Sequence, residues 1–165
     1  MTTGVLRTRR STRLLILSAI LAAGLLTGNG LLSTLSAGHR IGPAAAYLAG
    51  VLVMSANFGV QSLLAALIVR VTRRVRPGAG APVRLVDLLA ILAMATLGAA
   101  ALTRAMAGLG LGTFLGWSRF FPATTLVIAM LLSLRVDPST RQRWHRVIVP
   151  LFALQLLLTA AFTFL

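Results

Sequence analysis

The chain has no cysteine, no lysine and no glutamate. Its only acidic side chains are Asp87 and Asp137, and its only histidines are His39 and His145. Without cysteine there is no disulfide framework, no thiolate metal site and no thiol redox chemistry. Intramembrane aspartyl chemistry needs two carboxylates sharing one site, and these two fall in separate segments. Asp87 opens an apolar segment, where a carboxylate suits the helix dipole and Arg84, three residues earlier, is placed to pair with it. Asp137 begins Asp-Pro-Ser-Thr, which reads as an Asx-type turn. A Ser–His mechanism needs its members in contact, yet the two histidines are expected on opposite sides of a membrane, about 30 Å apart. The same separation excludes bis-His haem and a His-based metal site. Neither histidine lies mid-membrane, where a proton relay would need it. No catalytic residue, metal or cofactor is therefore expected, and the balance leans away from an enzyme.

Charge is scarce overall. Charged residues make up 11% of the 165-residue chain, against about 25% in soluble domains. Hydrophobic residues make up 58%, and the mean hydropathy is +0.92. A water-soluble fold of this size cannot hide that much apolar surface, so the class is integral membrane. The net charge of +14 comes from 16 arginines. In a soluble protein it would suggest nucleic acid. Here the arginines gather where apolar segments end, as the positive-inside rule requires. Anionic lipid headgroups are the expected partners, and nucleic acid is not. Arginine without lysine fits a GC-rich genome.

What is present is a series of long apolar runs. Residues 1–13 form a basic polar tail, and residues 14–165 read as a single transmembrane helical domain. The first run, 14–36, is too long for the h-region of a signal peptide, about 7–15 residues, so it reads as an uncleaved helix. It carries small residues four apart (Ser18/Ala22, Ala19/Ala23, Gly24/Gly28), which let helix backbones approach closely in lipid. The second, 43–69, is uncharged and holds Asn57 and Gln61. A Pro- and Gly-rich loop leads to the third, 85–107, whose Ala95, Gly98, Ala99, Ala101 and Ala105 are expected to pack tightly. The fourth, 119–134, is short; a start at Thr113 would lengthen it at the cost of placing Arg119 in the membrane. Gly108, Gly110, Gly112 and Gly116 disfavour that continuous helix by about 1 kcal/mol each relative to alanine. After a loop over 135–146, the fifth runs 147–165. Trp117 and Trp144 are expected in the interfacial aromatic belts.

The fold expected is therefore an all-α bundle of five transmembrane helices with a cytoplasmic N-terminus and an extracytoplasmic C-terminus. That orientation puts the tail and the arginine-rich loops, 70–84 and 135–146, inside. It leaves only Arg40, Arg104 and Arg119 outside, as expected for a multi-pass protein of a bacterial cytoplasmic (inner) membrane.

Two groups of residues are candidates for binding. Asn57 and Gln61 are four apart, share a helix face and sit near the bilayer centre, where amides avoid lipid and face other helices. Thr96, Gln155, Thr124 and Thr125 are possible hydrogen-bond partners. Arg40, Arg104 and Arg119 share the outer half with no acidic residue, and three guanidinium groups without counter-ions suit a phosphate or carboxylate, under a roof made by the Gly-rich 108–116 segment. No motif identifies a family. The scarcity of ionisable groups and the abundance of small-residue faces favour a non-enzymatic accessory or assembly subunit of a larger membrane complex, with a membrane-protein partner or a homo-oligomer. The alternative is a small transport or lipid-handling protein for an anionic or amphipathic ligand, and a membrane-embedded enzyme comes third.

Overall fold

A computed structural model describes residues 3–35, 42–75 and 83–164, with side chains from Ser11 onward apart from those of Trp117, Ala160 and 162–164. Every regular element among them is helical: α1 (Thr3–Leu35), α2 (Pro43–Val75), α3 (Leu85–Gly108), α4 (Phe114–Ser118), α5 (Phe121–Ser133) and α6 (Pro138–Phe164). Three segments are long and apolar enough to cross a membrane: Ser11–Leu35 of α1, all of α2 and all of α3. The chain is a membrane protein built as a helical bundle.

The helices other than α4 close into a ring in the order α1–α2–α6–α5–α3, with α3 returning to α1. The tightest seam is α1 against α2. A Cβ on Gly24 would sit 2.6 Å from Val51 Cα, and one on Gly28 would sit 2.6 Å from Tyr47 Cα. Later residues of α1 meet earlier residues of α2, so the two helices run antiparallel. Gly50 answers from α2, where a Cβ would strike Gly24 O and Gly28 N. Only glycine lets backbones meet this closely. Ala19 and Ala23 are buried in the same part of α1, whereas Ser18 is exposed.

At the arginine-rich end, Leu88 and Leu92 of α3, Leu126 and Ala129 of α5, and Trp144, Val147, Ile148 and Leu151 of α6 pack on Ala65 and Val69 of α2. Trp144 is thus packed inside the bundle rather than exposed on its outer surface. Its helix starts earlier than expected, and the first turns turn the indole inward. The alanines of α3 divide by face: Ala95 and Ala99 are fully buried and Gly98 packs on Ile128, while Ala101 and Ala105 point outward.

Helix boundaries differ from the hydropathy pattern for local reasons. α2 continues through Arg70, Arg73 and Arg74 to Val75, and α1 begins at Thr3. Arginine is a good helix former, so a change from apolar to charged marks a membrane boundary rather than a helix end. The expected 135–146 loop is mostly helix, because Pro138 occupies the first helical position, where its missing N–H is harmless, and Asp137 caps it. The expected helix 119–134 is found as α5, and the longer alternative from Thr113 is broken into two pieces. α4 and α5 are separated by a turn at Arg119 and Phe120, and Pro122 lies in the first turn of α5. Before α4, Gly110 (φ 73°) and Gly112 (φ 127°) take left-handed backbone conformations that favour glycine.

Candidate functional site: a groove between α2, α5 and α6

α2 and α6 form the thinnest side of the ring. A groove of about 610 Å³ opens there, lined by Asn57 and Val60 of α2, Arg119 and Pro122 at the head of α5, and Gln155, Leu158 and Thr159 of α6. Helical spacing explains the lining. Asn57 and Val60 are three apart on α2, and Gln155 and Thr159 are four apart on α6, so each pair occupies one face. The break between α4 and α5 puts Arg119 on a turn, which allows its guanidinium to serve the groove. No carboxylate is among the described residues that line it. Asp87 lies in the first turn of α3 and Asp137 just before α6, both at the arginine-rich end.

Asn57 and Pro122 also line a second cavity of about 90 Å³, further into the bundle. Its other walls include Thr27 of α1, Thr103 of α3, and Phe114 and Ser118 of α4. That volume exceeds the roughly 10–15 Å³ one water requires. Thr27 Oγ1 donates to Ala23 O at 2.9 Å and Ser118 Oγ donates to Leu115 O at 2.7 Å. Having spent their protons on their own helices, both hydroxyls remain acceptors. Phe114 closes one end and rests on Gly30 of α1.

Gln61 sits one turn below Asn57 and is fully buried. Its Nε2 donates to Asn57 Oδ1 at 3.2 Å, while its Oε1 is buried without a partner. The hydrogen bond of the amide pair thus runs within α2 rather than across helices. Thr96 and Thr125, expected as partners, donate to Leu92 O at 2.7 Å and Phe121 O at 3.0 Å on their own helices. Gln61, Thr96, Thr125 and Gln155 are nonetheless all buried. Counted along their helices, they stand roughly 12–17 Å from Arg70, Leu85, Ser133 and Arg146 respectively.

Of the residues singled out in the sequence, Asn57 and Arg119 meet in the groove and Gln61 is bonded to Asn57. Arg104, half-buried one turn before the end of α3, is not part of the groove lining. Arg40 lies outside the described residues. The Gly-rich segment does not roof the groove; the α4–α5 turn borders it instead. Gln155 and Thr159 join the groove from α6. Their i, i+4 spacing in an apolar helix is the same signal that marks Asn57 and Gln61.

Two polar features occupy the arginine-rich end. Ser133 Oγ lies 2.8 Å from His145 Nε2 and donates to Met130 O at 2.6 Å. With the serine proton committed to the carbonyl, Nε2 must donate to Oγ, the reverse of what a base activating a nucleophile requires. The contact fastens the end of α5 to α6. Asp137 accepts from Ser139 Oγ at 2.6 Å and from Thr140 N–H at 2.9 Å, and these bonds lower its pKa from 3.8 to about 2. Arg84 and Asp87 meet through the backbone, Asp87 N–H donating to Arg84 O at 3.1 Å, and no ion pair joins their side chains.

No protein-family model, no curated protein and no solved structure matches this chain.

Proposed function

We propose that the chain is a five-span protein of a bacterial cytoplasmic membrane that binds an anionic amphiphile in the groove at Arg119. One observation carries the reading: Arg119 shares a groove with Asn57 and Gln155, and no carboxylate is among the described residues that line it. An arginine held below the membrane surface needs a partner, and it marks a functional site by default. In this reading the spans are α1, α2, α3, α4–α5 taken together, and α6. α5 has 13 residues and so places Arg119 roughly 20 Å from the cytoplasmic ends of the helices. That is about 10 Å short of the far edge of a 30 Å hydrocarbon core. A guanidinium there attracts a phosphate or carboxylate strongly, because little water competes.

The N-terminus is cytoplasmic in this reading, because only then do Arg70, Arg73, Arg74, Arg84 and the arginines at the start of α6 face the cytoplasm. The arrangement supports handling a ligand rather than transforming it, since the nearest Ser–His contact is oriented as a structural tie.

Membrane-complex assembly is the second reading. One feature favours it: Ala49, Ala56 and Gly59 face outward on α2, and a Cβ on Gly59 would meet nothing within 4 Å. A partner helix can approach closely there.

Native mass spectrometry of the protein, extracted gently from its own membranes, tests both. The groove reading expects a retained anionic lipid or metabolite that is lost in Arg119→Gln and kept in Arg104→Gln. A stoichiometric protein partner, with anion retention indifferent to Arg119, would establish assembly instead.

A further inference from the structure

The groove has more chemistry than one cation, and its charge balance selects among ligands. Resting on the groove reading, we infer that the occupant is a phosphodiester lipid whose headgroup carries hydroxyl groups.

Charge comes first. Among the described residues the groove offers one guanidinium and no carboxylate. A phosphodiester carries one negative charge, so the complex is neutral. A phosphomonoester brings up to two charges and leaves an excess anion in a region of low dielectric, which is costly. An ammonium headgroup needs a carboxylate or an aromatic face to receive it, and the lining has neither.

The neutral polar groups come second. The guanidinium presents donors in a planar fork matched to two phosphate oxygens. Asn57 Oδ1 already accepts from Gln61 Nε2, so its unspent capacity is the two N–H donors of the amide and one remaining lone pair on that oxygen. Gln155 is held on the facing helix and brings an amide oxygen and an NH₂. Donors and acceptors flanking a phosphate site, with no second charge, match hydroxyls that can both give and take a hydrogen bond. A fatty-acid carboxylate also balances the charge, but it leaves both amides unused and fills little of the 610 Å³.

The apolar part comes third. Val60 and Leu158 line the groove and are themselves exposed. They give an acyl chain a path from the phosphate site to the surrounding lipid.

The experiment uses the full chain in phosphatidylcholine nanodiscs doped in turn with phosphatidylglycerol, phosphatidic acid, phosphatidylethanolamine or oleate. Retained lipid is counted by native mass spectrometry. The expected result is a preference for phosphatidylglycerol over each of the others of about tenfold, equivalent to 1.4 kcal/mol. Gln155→Leu should reduce the preference over phosphatidic acid to about one while anionic lipid is still retained, as expected when only hydroxyl recognition is removed. Asn57→Leu should do the same, and Gln155→Leu alone suffices should Asn57→Leu not fold. Arg119→Gln should abolish retention of all anionic lipids. Preferential, Arg119-dependent retention of phosphatidic acid or oleate would overturn the headgroup assignment and leave the groove reading standing. Retention identical in the native chain and Arg119→Gln would overturn the groove reading itself.

Discussion

Gln61 is bonded to Asn57, one turn away on the same helix, and only through one end of its amide. Nε2 donates at 3.2 Å, while Oε1 is buried and unpaired. The two residues therefore respond differently to loss of polarity. Gln61→Leu removes the orphan together with a bond worth about 0.6 kcal/mol in membranes, and is expected to be neutral or stabilising. Asn57→Leu leaves the whole Gln61 amide buried and unpaired, at a cost of about 1–3 kcal/mol. Unfolding of the two variants in mixed detergent micelles measures the difference. Equal destabilisation by both would show that Oε1 has a partner of its own.

Gly50 and Gly59 lie on the same helix and predict opposite outcomes for one substitution. A Cβ at Gly50 runs into the backbone of Gly24 and Gly28, neither of which can move aside. Gly50→Ala should force α1 and α2 apart and cost at least about 1–3 kcal/mol, as overpacking does. Gly59 faces open space, and alanine is the better helix former by about 1 kcal/mol. Gly59→Ala should be neutral or stabilising. Thermal unfolding of both variants in detergent decides the matter. A harmless Gly50→Ala would contradict the backbone seam.

Much of this architecture is legible in the sequence, including the Ala19/Ala23 and Gly24/Gly28 pairs of α1, the all-helical class and the start of α2 at Pro43. Hydropathy finds where a helix enters lipid, so it missed the charged continuations of α2 and α6, which are stabilised by helix propensity and by the Asp137 cap. Asn57 and Arg119 stood out singly, because polar groups in apolar runs are conspicuous. Their meeting across α2 and α5 was not legible, since it depends on a break in the chain at Arg119 and on the ring order. Ser133 and His145 were hidden for a similar reason. They belong to successive helices, and their contact exists only because α6 begins well before its apolar stretch.

The direction of the Ser133–His145 hydrogen bond can be tested. With Ser133 Oγ donating to Met130 O, neutral His145 should carry its proton on Nε2. Nitrogen-15 shifts of the imidazole report that tautomer. A fluorophosphonate probe should leave Ser133 unlabelled, because the residue is fully buried and its proton is committed. Labelling at Ser133 would reopen the question of an esterase-like activity.

Asp137 makes the start of α6 sensitive to strong acid. Its folded pKa is lowered from 3.8 to about 2, chiefly by the Ser139 hydroxyl and the Thr140 N–H. A lowered carboxylate pKa contributes stability that is complete above the unfolded value and lost as pH falls through the folded one. Amide exchange at Thr140 and Arg141 should therefore be slow relative to unstructured amides at pH 5 and lose that protection between pH 4 and 2. Asp137→Ala should remove it at every pH, while Asp137→Asn, which can still cap, should retain part of it and lose the acid dependence.

The shortness of α5 has a consequence for the surrounding lipid. A helix of 13 residues is about 20 Å long, which falls well short of the hydrocarbon thickness. In the five-span reading α4 and α5 together make one span, interrupted by the turn at Arg119, and headgroups and water dip toward Arg119 at a modest cost for each ångström of mismatch. This dimple forms on the same side of the ring as the groove. A headgroup descending there meets the guanidinium part-way into the membrane, along a shortened route between the leaflets.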